Sequence, residues 1–219
     1  MFHRLILAHL IGDFVLQNRW MVRRKRKLDG LAIHVGLVGL AMLPLVWQQL
    51  ADWWPWLLVV LFLHGLTDWA KIHLEPLLQL PPILPFLADQ AVHVGVIALV
   101  SALSSPDGLV LSADGPELIW WVASAYVIAT WAVSIALPLW LDPPSLTQRP
   151  PEARLMLILA SALVLTLAWR GLVWLIPVVG LGLYQWAVRP MSRVTTTPTF
   201  PVEFLSAVMV AACLGWGLP

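Results

Sequence analysis

Charge is what this sequence has least of. Only 11% of its 219 residues are Asp, Glu, Lys or Arg, against 60% hydrophobic ones. A soluble globular domain carries about a quarter charged residues, so that class is excluded. The net charge of +1 leaves no global field to attract a nucleic acid. Cysteine occurs once, at Cys213, so no disulfide can close within the chain. Period-two alternation is lacking as well. The apolar runs are continuous, which excludes a β-barrel. The opening stretch "MFHRLILAHLIGDFVLQ" has no small-x-small cleavage site, and His9 and Asp13 interrupt it, so it does not read as a signal peptide.

Apolar length is what is abundant. Runs near ~20 residues recur throughout, and the expected fold class is an all-α, polytopic helical membrane bundle of about eight transmembrane segments. Their bounds are roughly 2–19, 31–48, 55–74, 86–103, 117–140, 154–169, 172–188 and 201–218. The first is short, so it either crosses, tilts or enters only part of the bilayer. "LPPILPF" before the fourth reads as a rigid connection, because proline cannot sit inside a helix without breaking it. Residues 1–103 are expected to form four helices with a polar core, and 104–219 four apolar helices, in one membrane domain overall.

Lys and Arg placement orients the chain. "RRKRK" (23–27), Arg149, Arg154, Arg189 and Arg193 all fall on the cytoplasmic side if the N-terminus is outside. The other side holds Arg4 and Arg170 together with Asp52, Asp107, Asp114 and Glu117. Many of the 14 tryptophans sit near segment ends, as interfacial belts do. "RRKRK" adjoins a span and lacks interleaved aromatics, so it reads as a topology signal rather than an anionic-lipid or nucleic-acid patch. The lipid bilayer is the expected partner, and no nucleic acid is.

All six histidines lie in the first 93 residues. Segment 1 has His9 and Asp13, segment 2 has His34, segment 3 has His64, Asp68 and Lys71, and segment 4 has Asp89, Gln90 and His93. His9/Asp13, His64/Asp68 and Asp89/His93 are spaced i, i+4, which puts both members on one helix face. An ionised Asp in hydrocarbon costs about 3 kcal/mol on insertion scales, so these residues must turn inward and find partners. The alternating topology brings all four segments' polar residues to a similar depth, in the cytoplasmic half. A short internal repeat, His-x-x-x-Asp followed by a histidine on the next segment, relates the two hairpins.

Four imidazoles and three carboxylates make a nitrogen and oxygen ligand set suited to Zn, Mn or Fe, as one metal with supporting carboxylates or as two. His9, His34, His64, His93, Asp68 and Asp89 are the candidate metal ligands. Asp13, Asp68 and Asp89 are the candidate catalytic carboxylates. Lys71, Gln17 and Gln90 are candidates for binding substrate at the mouth. Neither haem nor a nucleotide is expected, since a porphyrin pocket would not want three aspartates. The same residues also fit His–Asp hydrogen bonds that merely knit helices together, or an ion path. Gly12, Gly65 and Gly95 lie beside the polar positions and would allow close helix approach. His3 and His73, at segment ends, read as interfacial.

The stretches "LILAHLIGDFVLQNRWM", "LDGLAIHVGL", "LFLHGLTDWAK" and "FLADQAVHVGV" resemble the bacterial membrane family catalogued as domain of unknown function 3307. The resemblance rests on His9, Asp13, Phe14, Gln17, His34, His64, Asp68, Lys71, Asp89, Gln90 and His93, in order and spacing. It extends loosely to Glu152, Arg154 and Glu203. It implies a multi-pass protein of the bacterial inner (plasma) membrane and implies no activity. From the residues themselves, the leading expectation is an intramembrane metal-dependent hydrolase acting on a membrane-embedded or lipid-linked substrate near the cytoplasmic face. The rivals are an ion- or proton-coupled transporter and a non-catalytic scaffold. The last four helices are expected to be an apolar scaffold or a homo-oligomer surface.

Overall fold

A computed structural model of the chain describes residues 1–105, 115–141, 151–182 and 200–218. Every regular element among the described residues is helical. The chain forms two compact units, Met1–Ser124 and Ala125–Pro219.

In the first unit α1 (Phe2–Leu10) runs into a single π-turn, Ile11–Val15. The Leu16 N–H reaches back five residues to the Ile11 carbonyl at 2.9 Å, which is the bond that defines the widened turn. The chain then breaks, and Asn18 restarts it. Its side-chain oxygen accepts from the Met21 N–H at 2.9 Å, capping the short α2 (Arg19–Arg24). Thus the expected segment 2–19 is not one continuous helix. The long helices α3 (Leu28–Val46) and α4 (Leu50–Leu78) follow, joined by a tight turn at Trp47–Gln49. α4 ends where Gln79 takes a left-handed conformation, and Pro82 precedes α5 (Ile83–Ser104). Only Leu80–Pro82 of "LPPILPF" is a connection: α5 begins at Ile83 rather than near 86 and takes Pro85 into its first turn, where a missing N–H costs nothing, and Pro44, Pro55 and Pro76 lie within α3 and α4.

α1, α3, α4 and α5 pack as a ring in that order, each against two neighbours. α3 and α4 are antiparallel: a Cβ on Gly39 would meet Leu61, and one on Gly65 would meet Val35. The exterior is apolar, with Phe62 69% and Leu40 62% exposed, while histidines and aspartates are buried. That is the reverse of a soluble protein and is compatible with a membrane location. One turn from the histidines, on the same helix faces, Leu5, Val38, Val60 and Ile97 are buried, followed by Met42, Leu57 and Val100. Beyond these apolar layers the Arg4 guanidinium donates to Glu117, the Leu45 carbonyl and Gln49 at 3.1–3.2 Å. His3, expected at the interface, is buried here, 3.9 Å from Glu117 and edge-on to Trp121.

The second unit contains a π-turn at Ile128–Ala132, α7 (Val133–Leu141), α8 (Pro151–Trp169), α9 (Val173–Gly182) and α10 (Phe200–Trp216); α6 (Leu118–Val127) carries the boundary between the units. Its core is small and aliphatic, with Ala160, Val164, Leu165, Ala207 and Ala211 fully or almost fully buried. α8 and α10 approach closely, since a Cβ on Gly215 would stand 2.5 Å from the Leu165 carbonyl. Tyr126 and Thr166 share a hydroxyl hydrogen bond at 2.5 Å. Glu203, expected near the start of the last segment, is fully buried.

The span count differs from expectation. Among the described residues three helical stretches, fewer than the eight expected segments, are long and apolar enough to cross a membrane: Leu28–Leu78, which is the α3–α4 hairpin of two helices, then Ile83–Ser104 and Gly115–Leu141. The π-turn shortens the first helix. Of the later apolar helices, α8 has 19 residues and α10 has 17, and α9 is described only as far as Gly182. Residues 183–188 of the expected seventh segment, and most of the loops 104–116, 142–152 and 195–201, lie outside the described residues.

Gly30 is the tightest joint in the first unit, because a Cβ there would lie 2.1 Å from the Arg24 carbonyl oxygen. Gly30→Ala should lower the thermal unfolding midpoint in detergent by several degrees, since backbone has to move. Gly36→Ala, whose methyl meets nothing within 4 Å, should leave it unchanged.

Candidate metal centre

The ring of helices encloses all seven polar residues of the predicted cluster. His9, Asp13, His34, His64, Asp68, Asp89 and His93 are each no more than 6% exposed. Their positions follow from periodicity: each i, i+4 pair shares the inward face of its helix. α3 has no such pair, because Gly30 stands one turn from His34 where the other helices carry aspartate. The missing side chain admits the end of α2 and with it Lys25. Gly12 similarly lets α1 close onto Val38. Gly95, expected to serve close approach, has nothing within 4 Å of a Cβ and faces open space.

The four imidazoles are in contact. Ring centroids are 5.2 Å apart for His34 and His64, 4.2 Å for His64 and His93, and 4.9 Å for the stacked His9 and His93. Four ligand atoms converge most closely: Asp13 Oδ1, Asp68 Oδ2, His34 Nε2 and His64 Nε2. His34 Nε2 is 3.2 Å from each carboxylate oxygen and 3.1 Å from His64 Nε2. His64 Nε2 is 3.5 Å from both oxygens. Nitrogen and oxygen ligands of a tetrahedral ion, with bonds of about 2.0–2.1 Å, stand about 3.3–3.4 Å from one another. The five separations that involve an imidazole, 3.1–3.5 Å, bracket that value.

Hydrogen bonding alone does not account for the quartet. One imidazole proton cannot serve two carboxylates and a second imidazole at once. Asp13 Oδ1 has no hydrogen-bond partner of adequate geometry among the described residues, and neither do His9 Nδ1, Asp89 Oδ1 or His93 Nε2, whereas Asp68 Oδ2 has the Lys25 ammonium at 2.8 Å. A buried polar atom left so is costly, and an ion is one of the standard resolutions. Three overlapping groups have ligand atoms within 4.8 Å of one another: His9, Asp13 and His64; His34, His64 and Asp68; Asp13, Asp89 and His93. The residues present therefore fit a metal ion geometrically.

The surrounding groups aim the ligands. Gln90 donates its amide N–H groups to Asp89 at 3.1 Å and Asp13 at 3.4 Å. Its carbonyl oxygen, 3.2 Å from His9 Nε2, must then accept from that nitrogen, which leaves His9 Nδ1 bare. His93 Nδ1 donates to the Asp89 backbone carbonyl at 2.7 Å, which leaves Nε2 bare. Of the candidates for the mouth, Lys71 donates to Asp89 at 3.0 Å and lies 5.8 Å over the Phe86 ring. Gln17 accepts from Lys25 at 3.1 Å.

Lys25 is the residue the sequence reading missed. It was absorbed into "RRKRK" as a topology signal, yet its ammonium lies 2.8 Å from both Asp68 oxygens. The usable signal was Gly30, whose bare backbone makes room for that approach. Arg24 instead pairs with the exposed Asp29. His73 stays outside the cluster and donates to the Trp69 carbonyl at 2.7 Å.

A family model described as a protein of unknown function, DUF3307, matches residues 1–116. The chain belongs to this family. The matched DUF3307 segment holds every residue of the cluster and stops before Glu152, Arg154 and Glu203, to which the resemblance had loosely extended. No curated protein and no solved structure matches the chain significantly.

Removing Lys25 strands the Asp68 carboxylate in a buried setting. Lys25→Ala should destabilise the metal-free protein by about 3 kcal/mol, the order found when one partner of a buried pair is deleted. Arg26→Ala, at an exposed position, should cost under about 0.5 kcal/mol. Denaturant unfolding in detergent compares the two.

Proposed function

We propose that the first unit is an intramembrane divalent-metal centre and that the protein is a metal-dependent hydrolase of a membrane-embedded or lipid-linked substrate. The observation that carries this reading is the convergence of Asp13 Oδ1 and Asp68 Oδ2 on His34 Nε2 and His64 Nε2, at 3.2–3.5 Å with the two nitrogens 3.1 Å apart, while Asp13 Oδ1 lacks a hydrogen-bond partner among the described residues. Nitrogen and carboxylate ligands without thiolate favour Zn, Mn or Fe.

A divalent ion held by these residues would supply Lewis-acid polarisation and, with a further coordination position left to water, would make that water a competent nucleophile near neutral pH. The chain supplies the rest. A carboxylate of the cluster takes the proton that water loses. The hydroxyl group of that water ends on the acyl or phosphoryl centre, the ester bond breaks, and the proton passes to the departing oxygen. Lys71 and Lys25, at 27% and 12% side-chain exposure, lie at the rim and provide positive charge for an anionic substrate group. Both ammonium groups sit on carboxylates of the cluster, Lys25 on Asp68 and Lys71 on Asp89, at the edge where such a group would arrive.

The apolar layers of Leu5, Val38, Val60 and Ile97, backed by Met42, Leu57 and Val100, weigh against a carrier. They put buried hydrocarbon directly on the path an ion would follow from the histidines toward Arg4 and Glu117.

Element analysis of untagged protein purified without chelator tests the reading. Stoichiometric metal is expected in the wild type, with loss in His64→Ala and Asp68→Asn. Metal-free protein that drives pH-dependent uptake into vesicles would establish the carrier instead. Metal-free protein whose melting ignores both substitutions would leave only a scaffold.

A further inference from the structure

The quartet uses only one oxygen of Asp13. The other, Oδ2, faces away from His34 and His64 toward His9 and Gln90: His9 Nδ1 lies 3.8 Å from it and the Gln90 amide nitrogen 3.4 Å. On that side stand Asp89 and His93, whose ligand atoms fall within 4.8 Å of an Asp13 oxygen and of each other. Three buried atoms there, His9 Nδ1, Asp89 Oδ1 and His93 Nε2, have no hydrogen-bond partner among the described residues. Two of them are imidazole nitrogens whose opposite ring nitrogen is already committed as a donor, to Gln90 and to the Asp89 carbonyl. Each therefore presents a bare lone pair, and the two rings stack with centroids 4.9 Å apart beside Asp13. The second Asp89 oxygen is occupied by Lys71 and Gln90, which leaves Oδ1 free to ligate.

We propose that the cluster holds a second divalent cation, seated by Asp13 Oδ2, His9 Nδ1, Asp89 Oδ1 and His93 Nε2, with Asp13 bridging the two ions. This rests on the metal reading above and deepens it. Each seat takes two histidines and one aspartate of its own, and the shared carboxylate completes both. The second seat is wider than the first. Asp13, Asp89 and His93 offer ligand atoms within 4.8 Å of one another, and His9 Nδ1 lies 3.8 Å from Asp13 Oδ2, a looser set than the first seat that suits an ion of higher coordination number. Carboxylate bridging brings paired ions to about 3.5–4 Å, the spacing at which two metals act together on one ester.

Manganese(II) loading of the full-length protein in detergent, followed by element analysis and electron paramagnetic resonance, tests the second seat. The wild type should bind about two ions per chain with an exchange-coupled signal, as a carboxylate-bridged pair gives. His93→Gln and the isosteric Asp89→Asn should each retain about one ion with an uncoupled signal, while melting confirms that both variants fold. One ion in the wild type, unchanged in both variants, would remove the second seat and leave the first standing. Two ions that ignore both substitutions would place the second one elsewhere and overturn the proposal. No ion in any of the proteins would sink the underlying metal reading as well.

Discussion

Three aspartate carboxylates enclosed by apolar helices set the terms for the first unit. Each is costly to bury, and the unit meets that cost by gathering them around four imidazoles and two lysine ammonium groups. The arrangement explains otherwise unconnected features. Gly30 lacks a side chain so that Lys25 can reach Asp68, Gly12 lets α1 close onto α3, and a π-turn holds Asp13 inside the ring. Gln90, one residue beyond Asp89, ties three of the polar groups together. A cation among these ligands would complete a network that hydrogen bonds alone leave partly unsatisfied.

The second unit is built on a different principle. Small residues bring α8 and α10 together, and its polar side chains mostly bond back into their own helices, as Thr130 does to the Tyr126 carbonyl and Thr166 to the Ala162 carbonyl. Such bonds satisfy hydroxyls locally and need no ligand. The chemistry proposed for the protein therefore lies within the matched family segment.

Much of the centre was legible because helical periodicity is a local rule. The i, i+4 spacing put His9 with Asp13, His64 with Asp68 and Asp89 with His93 before any contact was known, and the alternation of segments predicted that they share a level. Lys25 was not legible, because its role depends on α2 folding back against Gly30. At the opposite end His3 stands at a segment end as expected, and the approach of Glu117 and Trp121, which no local rule gives, buries it there. The eight expected spans came from apolar length, which does not register a π-turn such as the one that interrupts the first segment.

The sequence by itself determined an all-helical chain, the apolar exterior, and the residue types that had to face inward, since hydropathy and a 3.6-residue period act over a few neighbouring positions. Only the tertiary structure decided which atoms meet. The two oxygens of Asp13 are equivalent in the sequence and become distinct in the fold, one toward His34 and His64, the other toward His9 and Gln90. That distinction depends on how four helices lean on one another, and packing of this kind is written in no single segment.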